Sequence, residues 1–269
     1  MSYEFLKWFT KSNPITTQNG ESIQVWSFNH TNDDVVLSEW AKHFRNLYSE
    51  DEFLDDYRSG SGLSRSEYLL KMIFPDKSED WGPATRSGDF AEILVGDFLE
   101  FLQEYWIPRV RYDNKATRNS STQGSDVVGI KLKKSNDFSK DDELVVFEVK
   151  AQFSGNKANP KLQDAVNDSN KDVTRIGEFL NYAKRRFIKE GNTDAKNKIE
   201  RFQNISDNPY NERFGAVALF DEKVYDPNLL VQTDCSNHVR KDKLTLLVFS
   251  GKDMMKLVHS LYERAANEA

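Results

Sequence analysis

Apolar positions along the chain recur at two spacings, and each spacing places an element. Residues 23–28, Ile-Gln-Val-Trp-Ser-Phe, alternate and predict a short strand. Over 35–48, Leu37, Trp40, Ala41, Phe44 and Leu47 fall on one helical face, and Asn32-Asp33-Asp34 offers a cap. Ser64-x-x-Glu67 has the form of a capping box, opening a short helix that stops before Pro75. Residues 75–83 read as a loop and a subdomain boundary. A helix is expected over 87–106, with Phe90, Ile93, Leu94, Phe98, Leu99 and Leu102 as its apolar side and Pro108 ending it. A short strand is expected at 109–112. Further strands follow near 124–132 and 143–151, separated by a turn rich in Lys, Ser and Asp. A long helix over 160–189 carries the stripe Leu162, Val166, Val173, Ile176, Leu180, Ala183 and Phe187. Strands at 213–220 and 243–249 and a helix from Lys252 complete the pattern. The order predicts an α/β protein with a mixed central sheet flanked by helices. Residues 1–80 read as a mainly helical N-terminal subdomain with some early strand, and 81–269 as the core.

Composition narrows the class. The chain has 269 residues, 38% of them hydrophobic and 12% aromatic, enough apolar surface for a real core. A net charge of -6 argues against a generally basic nucleic-acid binder but leaves room for one local basic stripe. Cys235 is the single cysteine, so no internal disulfide can form. His30, His43, His238 and His259 are scattered without CxxC, HxxxH or HExxH spacing, which argues against a zinc site. Residues 1–4 do not form a basic leader, and no apolar run approaches the roughly 20 residues needed to span a bilayer. A soluble cytoplasmic protein without membrane contact is expected.

The chemistry concentrates in two apolar runs. Gly124-Ser125-Asp126-Val127-Val128-Gly129-Ile130 is followed by Leu144-Val145-Val146-Phe147-Glu148-Val149-Lys150. Charges inside buried strands are costly unless they pair or hold a metal. Glu148 and Lys150 share one strand face and Val149 takes the other. If Asp126 faces the same way from a neighbouring strand, two carboxylates and an ammonium converge. Such a set binds Mg²⁺, which acidifies water and offsets phosphate charge. The tripeptide [Asp/Glu]-x-Lys occurs four times, also as Asp113–Lys115, Asp194–Lys196 and Asp221–Lys223. Glu148–Lys150 stands out because its charges lie within the apolar run, downstream of Gly-Ser-Asp. The alternative is a strand end with an exposed ion pair. Gln152 continues the Glu148 face, to bind the scissile phosphate or water, or simply to hydrogen-bond at the strand end. A nucleotide-binding site is disfavoured: no GxxxxGK[ST] occurs, and Gly60-Ser61-Gly62 follows a helix.

A helix bearing Glu92, then Ser125-Asp126, then Phe147-Glu148-Val149-Lys150, then another helix, resembles the PD-(D/E)xK restriction-endonuclease-like superfamily over about residues 86–250. Glu148-Val149-Lys150-Ala151-Gln152, the segments Leu162-Gln163-Asp164-Ala165 and Lys171-Asp172, and the chain's size resemble, more narrowly, the HamA nuclease subunits of Hachiman anti-phage defence systems. The family's usual Pro-Asp is Ser125-Asp126 here, which removes no ligand. The resemblance implies a restriction-endonuclease-like sheet and a Mg²⁺-dependent deoxyribonuclease, with Mn²⁺ able to substitute. It implies Asp126 and Glu148 as metal ligands, Lys150 as catalytic lysine and Glu92 as an accessory acid. It also implies a HamB-like helicase partner that restrains or delivers the nuclease. By pattern alone, Glu92 lies on a polar stripe with Asp89, Gly96, Glu100 and Gln103 that equally reads as a solvated face.

DNA handles are sparse. Lys171, Arg175, Tyr182, Arg185 and Lys189 lie opposite the long helix's stripe, with Arg186 and Arg201 nearby. They form either a row along a phosphate backbone or a salt-laced solvent face that Glu178 interrupts. Lys131, Lys133 and Lys134 are a second candidate contact. No base-reading motif is present, so sequence-specific cleavage is not expected. Trp8, Trp26 and Trp40 are either a partner contact or a small core, with Trp40 on the apolar face of its helix. The rival to a nuclease is a nuclease-like scaffold that has lost catalysis and only binds protein or DNA.

Overall fold

The most apolar runs form the middle of a seven-stranded sheet. A computed structural model describes residues 3–79, 81–113, 115–120, 124–134 and 138–269. The strands are β1 (Phe9–Lys11), β2 (Ile15–Thr16), β3 (Ser22–Phe28), β4 (Val127–Lys131), β5 (Glu143–Gln152), β6 (Asn211–Asp221) and β7 (Leu244–Gly251). Their order is β1-β3-β7-β6-β5-β4, with β2 also on β3. Strands β3, β7, β6 and β5 are parallel. Strands β1 and β2 run antiparallel to β3, and β4 antiparallel to β5. The mixed α/β sheet read from the sequence is present.

The helices are α1 (Asp34–Asn46), α2 (Leu54–Arg58), α3 (Arg65–Tyr68), α4 (Gly82–Asp97), α5 (Lys161–Lys189), α6 (Thr193–Arg201), α7 (Pro227–Val231) and α8 (Met254–Asn267). Asp33 caps α1 through the Val35 and Val36 amides, and the Ser64–Glu67 capping box opens α3. Helix α4 starts at Gly82 and runs on into a π-type turn that ends at Leu102, short of Pro108. Among the described residues no helix is long and apolar enough to cross a membrane.

The sheet is covered on both faces. Val145, Phe147 and Val149 of β5 enter a core with α1, α4 and α8, whereas Leu144 and Val146 enter one with α5 and α6. This is the period-two alternation of a strand buried on both sides. Gly215 on β6 stands opposite Phe147, and a Cβ there would come within 2.1 Å of the Phe147 ring. Glycine thus makes room for the largest side chain of β5 just before Glu148.

Residues 1–80 supply β1 to β3 to this same sheet, and α1 packs on α8. Trp8 and Trp40 are buried, with Phe5 stacked on Trp40 at 4.6 Å between ring centroids. Those two tryptophans therefore fill the core and do not form an exposed partner surface; Trp26 is half-buried against Phe98. The strand expected at 109–112 is absent: the nearest pairing is a single bridge from Trp106 to Ile130.

Candidate active site

Asp126, just before β4, and Glu148 and Lys150 of β5 meet where that antiparallel pair opens. The register runs Val127↔Phe147 at its last pair, and one further step sets Asp126 opposite Glu148. Residues directly opposite in an antiparallel pair share a face, with Cβ atoms about 5 Å apart. The Val149 amide, which points sideways out of β5, donates to Asp126 Oδ2 at 2.9 Å. Lys150 Nζ donates to Glu148 Oε1 at 2.6 Å and lies 2.8 Å from Asp168 Oδ2 on α5. Glu148 is 7% exposed and Lys150 26%, so the site opens to solvent on the lysine side.

Glu92 joins this group from α4. Its polar stripe is not a solvated face: Asp89 is buried, Gly96 is buried, and Glu92 is covered. The cover is the segment from residue 107, which lies across α4 and pairs with acids on it and on the stretches just before and after it. Arg109 pairs with Asp97 at 2.6 Å and Glu100 at 2.7 Å. Arg111 pairs with Glu92 at 3.0 Å, and Tyr112 Oη donates to Glu92 Oε2 at 2.8 Å. Lys115 pairs with Asp89, and Arg118 with Asp76 at 2.9 Å. The alternation holds over 109–111, but the partner is a helix, and Tyr112 turns to α4 as Arg111 does. Arg109 and Arg111 face α4 while Val110 enters the core on the α5 side. Arg109 takes a left-handed backbone, φ 48°, which a regular strand does not contain.

Arg111 ties Glu92 to the β4 acid. Its Nη2 lies 3.3 Å from Asp126 Oδ1, and Nη1 donates to the Ser125 carbonyl. The Ser125 hydroxyl donates to Asp172 Oδ1 of α5 at 2.8 Å. Asp172 is fully buried, and its Oδ2 has no hydrogen-bond partner among the described residues. The sequence reading gave no site role to Arg111, Asp168 or Asp172, and met Asp172 only within the family resemblance. For Asp172 a signal was present: Ser169 and Asp172 occupy stripe positions of α5 where apolar residues belong, between Val166 and Ile176.

Crowded carboxylates in a dry pocket resist ionisation. Burial, then the neighbouring Glu92, pushes Asp126 up to about 7, against the pull of Arg111 and the Val149 amide. Burial pushes Asp172 up to about 6 and raises Glu148 and Glu92. For Lys150, burial would lower the ammonium, but Asp168 and Glu148 outweigh it and hold it charged. The pocket thus carries more acid than its cations offset. A cavity of about 20 Å³, room for one water, lies beside Glu92, Arg111 and Asp126.

The donor set fits a hard divalent cation. Among the described residues no group of three or more His, Cys, Asp or Glu side chains could hold a metal unaided. Mg²⁺, however, retains several waters and is commonly held by one or two carboxylates plus substrate phosphate. Asp126 and Glu148, with surplus charge and the unpartnered Asp172 oxygen behind them, meet that description.

Other expected residues separate from the site. Gln152 spends its amide on the loop after β5: Nε2 donates to the Lys157 carbonyl at 2.7 Å and Oε1 accepts from the Asn159 amide at 2.8 Å. That matches the strand-end alternative, with the side chain turned to the loop instead of a phosphate. Arg201 is no DNA contact, being buried on Asp142 at 2.9 Å. Arg186 pairs with Asp113 and Glu190 and donates to the Val110 carbonyl. On α5, Arg185 and Lys189 are exposed, Arg175 is half-buried, and Lys171 is exposed but paired with Asp168. Lys131 pairs with Glu104 at 3.1 Å, while Lys133 and Lys134 are exposed. Part of the charged turn that follows lies outside the described residues. The three competing tripeptides are structural: Asp113 holds Arg186, Lys196 pairs with Glu200, and Asp221 accepts the Lys223 and Met254 amides.

No curated protein matches the chain. The HamA family model matches residues 4–265, nearly the whole length, and the chain therefore belongs to the HamA family, subunits of Hachiman anti-phage defence.

Proposed function

We propose that this protein is a divalent-metal-dependent deoxyribonuclease of the PD-(D/E)xK kind, the cutting subunit of a defence complex. The observation that supports it most is the convergence of Asp126, Glu148 and Lys150 at the open end of the β4–β5 pair. Asp126 and Glu148 would hold Mg²⁺, or Mn²⁺ in its place. The ion, when bound, acidifies a water and offsets charge on the scissile phosphate. The chain's own residues do the rest. The Val149 amide fixes Asp126 by holding one carboxylate oxygen. Lys150, kept protonated by Glu148 and Asp168, sets its ammonium toward solvent, where it orients the attacking water and meets a nonbridging oxygen. Burial of Glu148 and Asp126 excludes water and strengthens each of these contacts. DNA would lie along Arg185 and Lys189 through its phosphates, without base reading. A helicase subunit would control access of DNA to the site.

Two ion pairs favour the scaffold reading: Lys150 pairs with Glu148, and Arg111 with Asp126. Plasmid nicking with Mg²⁺ separates the two, using wild type, Glu148→Ala and Lys150→Ala, each alone and with the helicase subunit. A nuclease nicks only as wild type. Equal nicking by all three, or none by the complete wild-type complex on any DNA, defeats the proposal.

A further inference from the structure

We infer that Arg111 takes the place of a second metal ion, so that the site binds one divalent cation. This rests on the metal reading above and goes beyond it. Asp126 is shared by two carboxylate pairs: Asp126 with Glu148 across the strand pair, and Asp126 with Glu92 from α4. Sites that use two metals place the ions roughly 3.5–4 Å apart, each held by a shared carboxylate and one further acid. Here the Asp126–Glu92 pair already contains a cation. Arg111 Nη2 lies 3.0 Å from Glu92 and 3.3 Å from Asp126. The Asp126–Glu148 pair contains none among the described residues: the cation on Glu148 is Lys150, which extends toward Asp168.

Arg111 is fixed in that place. Its side chain is 9% exposed and its other end nitrogen donates to the Ser125 carbonyl. The adjoining backbone is held as well. The Val110 carbonyl accepts from Arg186 at 3.2 Å and from Tyr182 Oη at 3.3 Å. Arg109 and Tyr112 on either side are hydrogen-bonded to acids of α4. Moving the guanidinium aside would leave it and Glu92 buried without each other, a state that is strongly disfavoured. A second divalent ion would also sit within a few ångströms of a fixed positive charge. Arg111 therefore supplies, permanently, the positive charge that a second ion lends to phosphodiester chemistry elsewhere.

The test is metal stoichiometry, measured on the full chain by Mn²⁺ titration calorimetry and by electron paramagnetic resonance of free Mn²⁺. Wild type is expected to bind one ion. Arg111→Met, which keeps the length and removes the charge, is expected to bind two. Arg111→Lys, which keeps the charge, is expected to bind one. Two ions on wild type, or one on folded Arg111→Met, overturn the inference and leave the metal reading standing. Wild type that binds no ion overturns both. The wild-type count decides even if Arg111→Met fails to fold.

Discussion

Asp172→Asn is expected to stabilise this protein at neutral pH. Asp172 is fully buried, accepts one hydrogen bond from Ser125, and has an oxygen with no partner among the described residues. Burial, only partly offset by the Ser125 hydrogen bond, raises its carboxyl from 3.8 to about 6 in the folded state. In the unfolded chain the group ionises near its ordinary value. The folded state therefore holds its proton to higher pH than the unfolded state does. Stability from this group is complete below about pH 4 and is lost as pH rises through about 6. Roughly two units at ~1.36 kcal/mol each give a penalty of about 3 kcal/mol at pH 7.5. Asparagine removes the charge but buries an NH₂ without an acceptor, which costs about 1–2 kcal/mol. The net gain is about 1–2 kcal/mol, a rise of roughly 3–5 °C in melting temperature for a chain of this size. Urea titrations in EDTA at pH 7.5 and pH 5 measure it. The variant's advantage is expected to shrink by about 1.5 kcal/mol at the lower pH. An Asp172→Asn variant less stable than wild type at pH 7.5, or an advantage independent of pH, refutes the reasoning. A charge that weakens the fold yet sits behind the acids proposed to hold the metal is what a trade of stability for function looks like.

Three further outcomes are expected. Arg201→Met strands the buried Asp142 carboxylate and should cost about 3 kcal/mol by urea denaturation, with DNA affinity unchanged; a loss of affinity in the folded variant would restore Arg201 as a DNA contact. Gly96→Ala sets a Cβ 2.9 Å from Arg109 Nη1, whose ion pairs with Asp97 and Glu100 prevent it from yielding, and should cost about 1–3 kcal/mol in thermal melts; an unchanged melting temperature contradicts the packing described. Arg185→Ala with Lys189→Ala should leave stability within about 0.5 kcal/mol and lower the slope of log affinity against log salt by about 2; an unaltered slope places the DNA path elsewhere.

How much of this was legible in the sequence depended on whether a residue's partner lay in its own element's pattern. The α5 stripe was legible because burial against a sheet demands apolar residues at every third or fourth position: Leu162, Val166, Ile176, Leu180, Ala183 and Phe187 are all buried. Asp126, Glu148 and Lys150 were legible because charge inside apolar runs is an anomaly that needs a cause. Glu92 was ambiguous for the converse reason. On a helix, a polar stripe means solvent unless some other segment covers it, and the α4 cover comes from residues beyond the helix whose pattern says nothing of what they face.

That segment also explains why 109–112 misled. Alternating charged and apolar residues are what an edge strand presents, and Arg-Val-Arg-Tyr meets the rule. The rule detects only that successive side chains face opposite ways; it is blind to what they face. Here the even partner is the α5-side core at Val110 and the odd partner is a row of carboxylates on α4. Arg109, Arg111 and Lys115 each pair with an acid of α4, so ordering this irregular backbone and ionising the α4 acids are coupled. It follows that the acids of α4 and the cations at 109, 111 and 115 act as a unit. Neutralising Glu92 alone leaves the whole Arg111 charge to Asp126, which should hold the Asp126 carboxylate more firmly ionised. Glu92→Gln is thus expected to lower the Asp126 carboxyl from about 7, since burial still raises it but the Glu92 repulsion that adds to burial is gone while Arg111 remains. NMR titration of the Asp126 carboxyl carbon reads this directly, and an unmoved or raised titration point would mean that Glu92 and Asp126 do not share the guanidinium.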